Sequence, residues 1–356
     1  MGDNSKMPNL GRASRVGVVG CGAFGRNHAR VYRDLEDNSQ LNLTFVGVVD
    51  ADRARANSMA EEFGTQAFGS VSELLRTGVD AVSVAVPTVA HLPVARELME
   101  AGVDVLIEKP LASTLREADE LLTLARQHSR IVQVGHLERF NPAVRATLPL
   151  LTKPMFFEVH RLSVFTPRSL DVDVVLDLMI HDIDIVLTMT KSPVREVRAV
   201  GLPILSKKVD IANVRVEFES GCVANFTASR VSTERVRKLR FFQPRQYVSL
   251  DLSRQDVLVL TVGAIAGSSD DFDPFNPASI ASQAFHGITP LKPTIEQQEP
   301  LRTELMSFLS AVRDRTAPEV PLEQGRDALA VALKIVEAIA QHSRRAHLEE
   351  LTGGVS

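Results

Sequence analysis

The stretch RVGVVGCGAFG, residues 15–25, decides the fold of the first third of the chain. Its first six residues are a short β-branched run that ends in glycine, which is typical of a buried parallel strand. The glycines Gly20, Gly22 and Gly25 complete a G-x-G-x-x-G pattern, and a helical segment begins at Ala23. Between a strand and a helix this pattern predicts a dinucleotide-binding loop. Gly20 makes the tight turn, Gly22 lets a pyrophosphate approach the backbone, and Gly25 lets helix and strand pack closely.

Strands and helices continue to alternate after this loop. Short apolar runs typical of buried strands recur at residues 43–50, 81–86, 103–107 and 131–134. Segments with helical apolar spacing separate these runs, and the alternation predicts βαβ units with right-handed crossovers and a parallel sheet. We therefore predict an α/β fold in which residues 15–136 form a doubly wound Rossmann domain, after a disordered lead-in at residues 1–14.

The second predicted strand ends in Asp50. An acid at this strand end accepts hydrogen bonds from the ribose hydroxyls of the cofactor and repels a 2′-phosphate, which favours NAD over NADP. Arg53 and Arg55 lie just downstream and are counter-evidence, because arginines can bind a phosphate; both can equally solvate a helix face. We expect NAD as the cofactor.

Lys109 stands at the end of the fifth predicted strand and is followed by Pro110. Proline restricts the preceding residue to an extended conformation, and ligands of doubly wound sheets bind at the carboxyl edge of the strands. Lys109 is therefore a candidate functional residue, and an ordinary exposed cation is the alternative.

The stretch DVVLDLMIHDIDIVLTM, residues 173–189, has the apolar content of a packed helix. Asp177 and His181 are spaced i, i+4, so both are expected on one helix face. Such groups are costly to bury without partners. The pair is interpreted as an acid/base pair, because histidine can take and return a hydroxyl proton near neutral pH. A capped, salt-bridged helix is the alternative.

The second half of the chain is β-rich. Alternating segments at 209–219, 222–230 and 235–242 are predicted to be antiparallel neighbours, with further strands at 247–252 and 257–262. A long loop is expected at 264–299, followed by helices at 301–315 and 322–341. We predict a C-terminal α+β domain with a large, mostly antiparallel open sheet at residues 137–342, and a tail at 343–356.

Six cations are concentrated in the second half of a chain that is acidic overall: Arg230, Arg235, Arg237, Lys238, Arg240 and Arg245. Arginine forks match phosphate geometry, so this cluster is a candidate site for a diphosphate sugar. A solvated sheet edge that discourages aggregation is an equal alternative.

Composition excludes several classes of protein. The formal net charge of −4 gives no basic field for nucleic acid or an anionic membrane. No apolar stretch is long enough for a transmembrane helix, and the polar N-terminus has no signal-peptide core. Cys21 and Cys222 form no metal-ligand pair, so no metal is expected, and so few cysteines fit a reducing compartment. We expect a cytoplasmic protein.

These motifs together resemble the Gfo/Idh/MocA family, which includes glucose–fructose oxidoreductase and inositol dehydrogenase. The resemblance rests on GCGAFG, on the acid in VVDAD, on VAVPTVAHLPVA, on EKPL and on the D-x-x-x-H helix. The segment GHLERFNPA, residues 135–143, further resembles the branch of the family that oxidises UDP-N-acetylglucosamine at C3. The resemblance covers about residues 15–342 and implies NAD-dependent oxidation of a sugar hydroxyl by a homodimer or homotetramer that associates through the C-terminal sheet.

The resemblance also implies roles for single residues. Lys109 would reach the nicotinamide ribose and the reacting hydroxyl, and Asp177 and His181 would complete the catalytic set, with His181 as the base. The implied cofactor site comprises Gly20, Gly22, Ala23, Phe24, Gly25, Asp50, Pro87, Thr88, His91, Glu108 and Lys109. The implied substrate site comprises Lys109, Asp177 and His181, and Arg161 and Arg168, which lie nearer the D-x-x-x-H helix than the basic cluster does, are further candidates to bind substrate. Asp173-Val174-Val175-Leu176 stands where the family often has a glycine-rich stretch, which leaves the substrate class open.

Three functions fit the sequence. The first is a nucleotide-sugar 3-dehydrogenase, which the basic cluster and GHLERFNPA favour. The second is a dehydrogenase of a free sugar or polyol. The third is a non-catalytic dinucleotide-binding sensor, against which the joint presence of Lys109, Asp177 and His181 argues.

Overall fold

A computed structural model of the chain describes residues 13–38, 42–165, 172–263 and 288–347. Most of the predicted lead-in, most of the predicted loop at 264–299 and the end of the predicted tail lie outside the described residues. In chain order the strands are β1 Ser14–Val19, β2 Leu43–Val49, β3 Gln66–Phe68, β4 Ala81–Val84, β5 Asp104–Glu108, β6 Val132–Gly135, β7 Phe156–Val164, β8 Val194–Leu202, β9 Ile211–Phe218, β10 Val223–Ser232, β11 Val236–Gln243, β12 Gln246–Asp251, β13 Asp256–Val262 and β14 Ile288–Leu291. The α-helices are α1 Ala23–Asn38, α2 Arg53–Glu62, α3 Val71–Leu75, α4 His91–Glu100, α5 Leu115–Gln127, α6 Pro142–Thr147, α7 Ile180–Thr190, α8 Pro300–Asp314 and α9 Leu322–Arg345.

Strands β1 to β6 form a parallel sheet with the order β3-β2-β1-β4-β5-β6. This is the strand order of the doubly wound dinucleotide-binding fold, so the predicted Rossmann domain is confirmed. The sequence did not predict β3, because three residues are too few to show a period. Helix α8, far along the chain, packs against α1, and Leu305 and Phe308 of α8 share a core with Val16 and Tyr32.

Strands β7 to β14 form a second sheet with the order β14-β13-β12-β11-β7-β10-β9-β8. All its pairings are antiparallel except that of β7 with β10, which is parallel. The predicted mostly antiparallel sheet is confirmed. The expectation that β10 and β11 are neighbours is wrong, because β7 lies between them. Its alternating sequence FFEVHRLSV comes well before the rest of the sheet, and consecutive strands pair in only about two-thirds of cases.

The chain divides into two compact units. Unit 1 comprises the residues up to Phe140 together with Gln298–Ala330, and unit 2 comprises Asn141–Gln297 with the residues from Val331 onward. The expected domain bounds, 15–136 and 137–342, stay a prediction. Among the described residues, no helix is long and apolar enough to cross a membrane.

Candidate active site

The glycine-rich loop of unit 1 is shaped by two close approaches of backbone. Gly20 has a φ of 103°, and a Cβ at this position would lie 2.5 Å from the carbonyl oxygen of Ala85. A Cβ on Gly25 would lie 1.7 Å from the carbonyl oxygen of Gly20, so only glycine lets α1 start this close to β1. At Gly22, by contrast, no described atom lies within 4 Å of a Cβ position. The loop therefore leaves room at Gly22 for a pyrophosphate, next to the N-terminus of α1 at Ala23.

Asp50, directly after β2, is bound to this loop. One of its carboxylate oxygens accepts a hydrogen bond from the Cys21 amide at 2.6 Å, and the other accepts one from the Asp52 amide at 2.8 Å. Arg55, which the sequence offered as a phosphate ligand, lies 3.7 Å from Asp50 and 3.5 Å from Asp52. Its charge is thus compensated by two acids, and the strand end suits ribose hydroxyls better than a 2′-phosphate.

Cys21 is buried within the same loop. Burial raises the pKa of its thiol to about 12, and the nearby charge of Asp50 acts in the same direction. Because the reactive species is the thiolate, burial in the loop disfavours reaction of the Cys21 thiol.

Lys109 follows β5 at the carboxyl edge of the parallel sheet. Its ammonium lies 5.9 Å from the centre of the Phe24 ring, and Phe24, in the first turn of α1, is 44% exposed. The peptide bond between Lys109 and Pro110 is cis, which the sequence did not predict. Lys109 is thus brought to the glycine-rich loop, on the side where a cofactor would lie.

Glu108 is buried beside Lys109 and contacts three elements. Its carboxylate lies 2.8 Å from Nε2 of His28 in α1, and a Cβ on Gly135 of β6 would come within 2.9 Å of it. Within the described residues Nδ1 of His28 has no hydrogen-bond partner, so a proton on Nε2 that is donated to the Glu108 carboxylate fits this pair. Glu108 was predicted to contact the cofactor ribose, and the structure places it 5% exposed against His28. Sequence reasoning missed His28, although it follows Gly25 by one helical turn.

Pro87, Thr88 and His91 lie in the turn after β4. Pro87 is exposed and precedes a short 3₁₀ helix at Thr88–Ala90, whereas His91 is only 1% exposed. The His91 ring lies with Nε2 3.0 Å from the Val86 carbonyl and Nδ1 3.2 Å from the Leu111 carbonyl. Burial lowers the pKa of His91, and its two ring nitrogens, each within hydrogen-bonding distance of a carbonyl oxygen, link the turn after β4 to the segment after β5.

Asp177 and His181 lie in one continuous helical segment of unit 2. Asp177 is in a π-helical turn, Val175–Met179, which the Ile180 amide closes by bonding to the Val175 carbonyl. His181 belongs to α7 and is 7% exposed. The two residues are thus about one turn apart, as the i, i+4 spacing predicts. The π turn was not predicted, and such turns are frequent at functional sites.

The arginines predicted to bind substrate have other partners. Arg161, on β7, is 3% exposed and binds both carboxylate oxygens of Asp182. Arg230, the first member of the basic cluster, is 5% exposed and donates to the Val172 carbonyl. Arg240 lies on the other face of the sheet, 3.8 Å from Glu158. The cluster therefore does not form one patch, and Arg168 lies outside the described residues. In the described part of the chain, no group of three or more His, Cys, Asp or Glu residues is arranged to hold a metal ion.

Comparison with known proteins agrees with this geometry. Residues 14–136 match the profile of an oxidoreductase family with an NAD-binding Rossmann fold, and residues 156–245 match the GFO/IDH/MocA C-terminal domain. The chain is 35% identical over 336 residues to UDP-N-acetylglucosamine 3-dehydrogenase from Acidithiobacillus ferrooxidans, which covers 92% of this chain and 98% of that protein. A crystal structure of the same enzyme superimposes with a TM-score of 0.80, covering 91% of this chain and 97% of that one at 36% identity. Myo-inositol dehydrogenase Hyg17 from Streptomyces leeuwenhoekii is 33% identical over 52% of this chain and 58% of its own length.

Proposed function

The chain belongs to the Gfo/Idh/MocA family of NAD-binding oxidoreductases, and we propose that it oxidises the C3 hydroxyl of UDP-N-acetylglucosamine, or of a closely related nucleotide sugar, to a ketone. The observation that carries the proposal is the similarity to the Acidithiobacillus enzyme along nearly the whole of both chains. That similarity includes unit 2, which holds the segment with Asp177 and His181.

The residues of unit 1 fit the cofactor. The space at Gly22 admits a pyrophosphate, and Asp50 at the end of β2 can accept from ribose hydroxyls. When bound, NAD supplies the acceptor for a hydride. Lys109, at the edge of the same sheet, would stabilise the oxygen of the reacting hydroxyl as negative charge develops on it.

The proton of that hydroxyl needs a base. His181 would accept it, since an imidazole exchanges protons near neutral pH and a base contributes roughly 10²–10⁴-fold to such a step. Asp177, one turn earlier, would orient the base or the sugar. As bound NAD would take the hydride from the carbon, the O–H proton would pass to His181 and then to solvent.

A free sugar or polyol is the second candidate substrate, because inositol dehydrogenases are also similar to this chain. These two similarities extend over 52% and 37% of the chain. The nucleotide sugar is therefore favoured.

The two candidates are separated by a substrate panel. Purified protein with NAD is mixed with UDP-N-acetylglucosamine, free N-acetylglucosamine or myo-inositol, and the reduced cofactor is followed by its absorbance. We expect kcat/KM for the nucleotide sugar to exceed that for the free sugar by at least about 10²-fold, which is what about 3 kcal/mol of nucleotide contacts would give. A higher kcat/KM with myo-inositol would contradict the proposal and establish the second candidate.

We further propose that the protein is a cytoplasmic homo-oligomer that associates through the open face of the second sheet. Phe156, Phe242 and Tyr247 of neighbouring strands form an aromatic row there, with ring centres 5.5 and 5.1 Å apart, and Phe242 is 37% exposed. Exposed apolar groups of this kind are typical of an interface. Light scattering should give a multiple of 39.0 kDa for the wild type and a lower mass for Phe242→Glu, with Met306→Glu in unit 1 as the matched control. A monomeric wild type would contradict the assignment.

A further inference from the structure

Two buried arginines of the second sheet face the segment that carries Asp177 and His181. Arg161 on β7 is paired in register with Ala228 of β10, and Arg230 follows Ala228 by two residues, where the pairing of β10 with β7 becomes irregular between Ser229 and Ser232. Arg161 is 3% exposed and Arg230 is 5% exposed. Arginine is rarely buried to this extent unless it is paired, so each partner identifies what the residue does.

Arg161 holds the beginning of α7. Its Nε donates to one oxygen of Asp182 at 2.8 Å, and its Nη2 donates to the other at 2.7 Å. Two parallel hydrogen bonds fix the orientation of a carboxylate, which a single bond or a lysine would not do. Because Asp182 follows His181 directly in the chain, this fork also fixes the rotation of the helical turn that carries His181.

Arg230 holds the other end of the segment. Its Nη2 donates to the Val172 carbonyl, and its Nε lies 3.8 Å from Asp210, which is completely buried. Asp210 in turn accepts hydrogen bonds from three consecutive amides, of Ile204, Leu205 and Ser206. Burial opposes the charge of Asp210, but these hydrogen bonds outweigh it and lower the pKa of the carboxyl. The Asp210 carboxylate that faces Arg230 is therefore stabilised in its charged form.

The two residues after Val172 are hydrogen-bonded to Val209, in the loop between β8 and β9. The Val209 amide donates to Asp173 at 3.0 Å, and the Val174 amide donates to the Val209 carbonyl at 2.9 Å. The π turn with Asp177 begins at Val175, immediately after these bonds. A π turn is rarely adopted by helices, so it needs support from its surroundings. Here it is held by Arg230 before it and by Arg161 after it.

From these contacts we infer that Arg161 and Arg230 are positioning residues, which hold the segment from Val172 to Asp182 so that Asp177 and His181 keep the geometry needed for reaction. The inference rests on the proposed function for its kinetic consequence. It replaces the expectation that these arginines bind the anionic part of a substrate, since Arg161 donates to Asp182 and Arg230 donates to the Val172 carbonyl.

The test is Arg161→Lys, which keeps the charge and removes the fork. We expect kcat to fall by about 10²-fold, as a small misplacement of a reacting group does, while KM for the nucleotide sugar and Kd for NADH change by less than about threefold. Arg198→Lys is the matched control, because Arg198 also pairs with a carboxylate, Glu196, on the same sheet but is 77% exposed. The control should behave like the wild type.

A second measurement does not depend on turnover. In protein labelled with ¹⁵N in its histidine rings, the signals of His181 should shift in Arg161→Lys and stay unchanged in Arg198→Lys. If the wild type fails to oxidise UDP-N-acetylglucosamine, the proposed function fails, and the ring signals still decide the positioning role. A rise in KM with unchanged kcat, or unchanged ring signals, would overturn the inference. If Arg161→Lys does not fold, Arg230→Lys is tested in the same way, with the same outcomes.

Discussion

The two regions that carry the candidate site residues are held in place by different means. The glycine-rich loop of unit 1 is fixed by backbone packed against backbone, with Gly25 against Gly20 and Gly20 against Ala85. The helical segment of unit 2 is fixed by side chains from strands distant in sequence, with Arg161 bound to Asp182 and Arg230 to Val172. A loop whose close backbone contacts require glycine leaves a short motif in the sequence. A site held by distant ion pairs leaves only isolated charged residues, which are easily taken for ligands.

The largest expected effect is a loss of kcat, and it compares Lys109 of unit 1 with His181 of unit 2. Lys109→Ala and His181→Ala should each lower kcat by about 10²–10⁴-fold, because one removes the stabilising charge and the other the proton acceptor. His181→Ala should bind NADH as tightly as the wild type, measured by fluorescence titration, since the loop that is proposed to hold the cofactor lies in unit 1. Near-normal turnover of either variant would remove that residue from the mechanism.

The next effect tests whether backbone packing holds the loop. Gly25→Ala should lower the free energy of unfolding by about 1–3 kcal/mol and weaken NADH binding, because its Cβ collides with Gly20. Gly22→Ala is the matched control: its Cβ meets no described atom, so only NADH binding should weaken. Denaturant titrations with and without NADH measure both quantities. A Gly25→Ala variant as stable as the wild type would show that the close contact between Gly25 and Gly20 does not hold the loop in place.

A smaller effect concerns cofactor choice. The wild type should bind NADH several-fold more tightly than NADPH, and Asp50→Ala should narrow this ratio, because the variant no longer repels the 2′-phosphate. The ratio of the two affinities is the informative quantity. Asp50 also accepts a hydrogen bond from the Cys21 amide, so its loss will weaken the binding of both cofactors. Tighter binding of NADPH to the wild type would contradict the assignment.

The smallest effect is a pH dependence of stability in unit 1. Burial lowers the folded-state pKa of His91, so protons bind the unfolded chain more readily than the folded one. The stabilisation from neutral His91 is therefore present above the unfolded pKa of about 6.5 and is lost as the pH falls through the folded pKa. His91→Gln should reduce the slope of unfolding free energy against pH below 6.5, by at most about 1.4 kcal/mol per pH unit. His347 is exposed, so His347→Gln should leave this slope unchanged. Equal slopes for the wild type and both variants would refute the contribution of His91.

The sequence predicted the fold of unit 1 well because its strands are continuous apolar runs and its glycines have fixed spacing. It also located Lys109 at a strand end and Asp177 and His181 on one helical segment. It could not predict that β7 separates β10 from β11, because that pairing joins residues far apart in the chain. For the same reason the sequence could not show that Arg161 lies beside Asp182 and Arg230 beside Asp210, and both arginines were candidates for binding substrate. The contact between Glu108 and His28 also joins residues far apart in the chain, and the role of Glu108 at the cofactor ribose stays a prediction.

The proposed transfer of hydride from C3 of the sugar to NAD is tested most directly by following one hydrogen atom. The protein is given NAD and UDP-N-acetylglucosamine that carries deuterium at C3 of the sugar, and the cofactor is then analysed by mass spectrometry. We predict that the reduced nicotinamide contains the deuterium and that the reaction is slower than with unlabelled sugar, as hydride transfer from C3 requires. Reduced cofactor without deuterium, or no reduction at all, would contradict it.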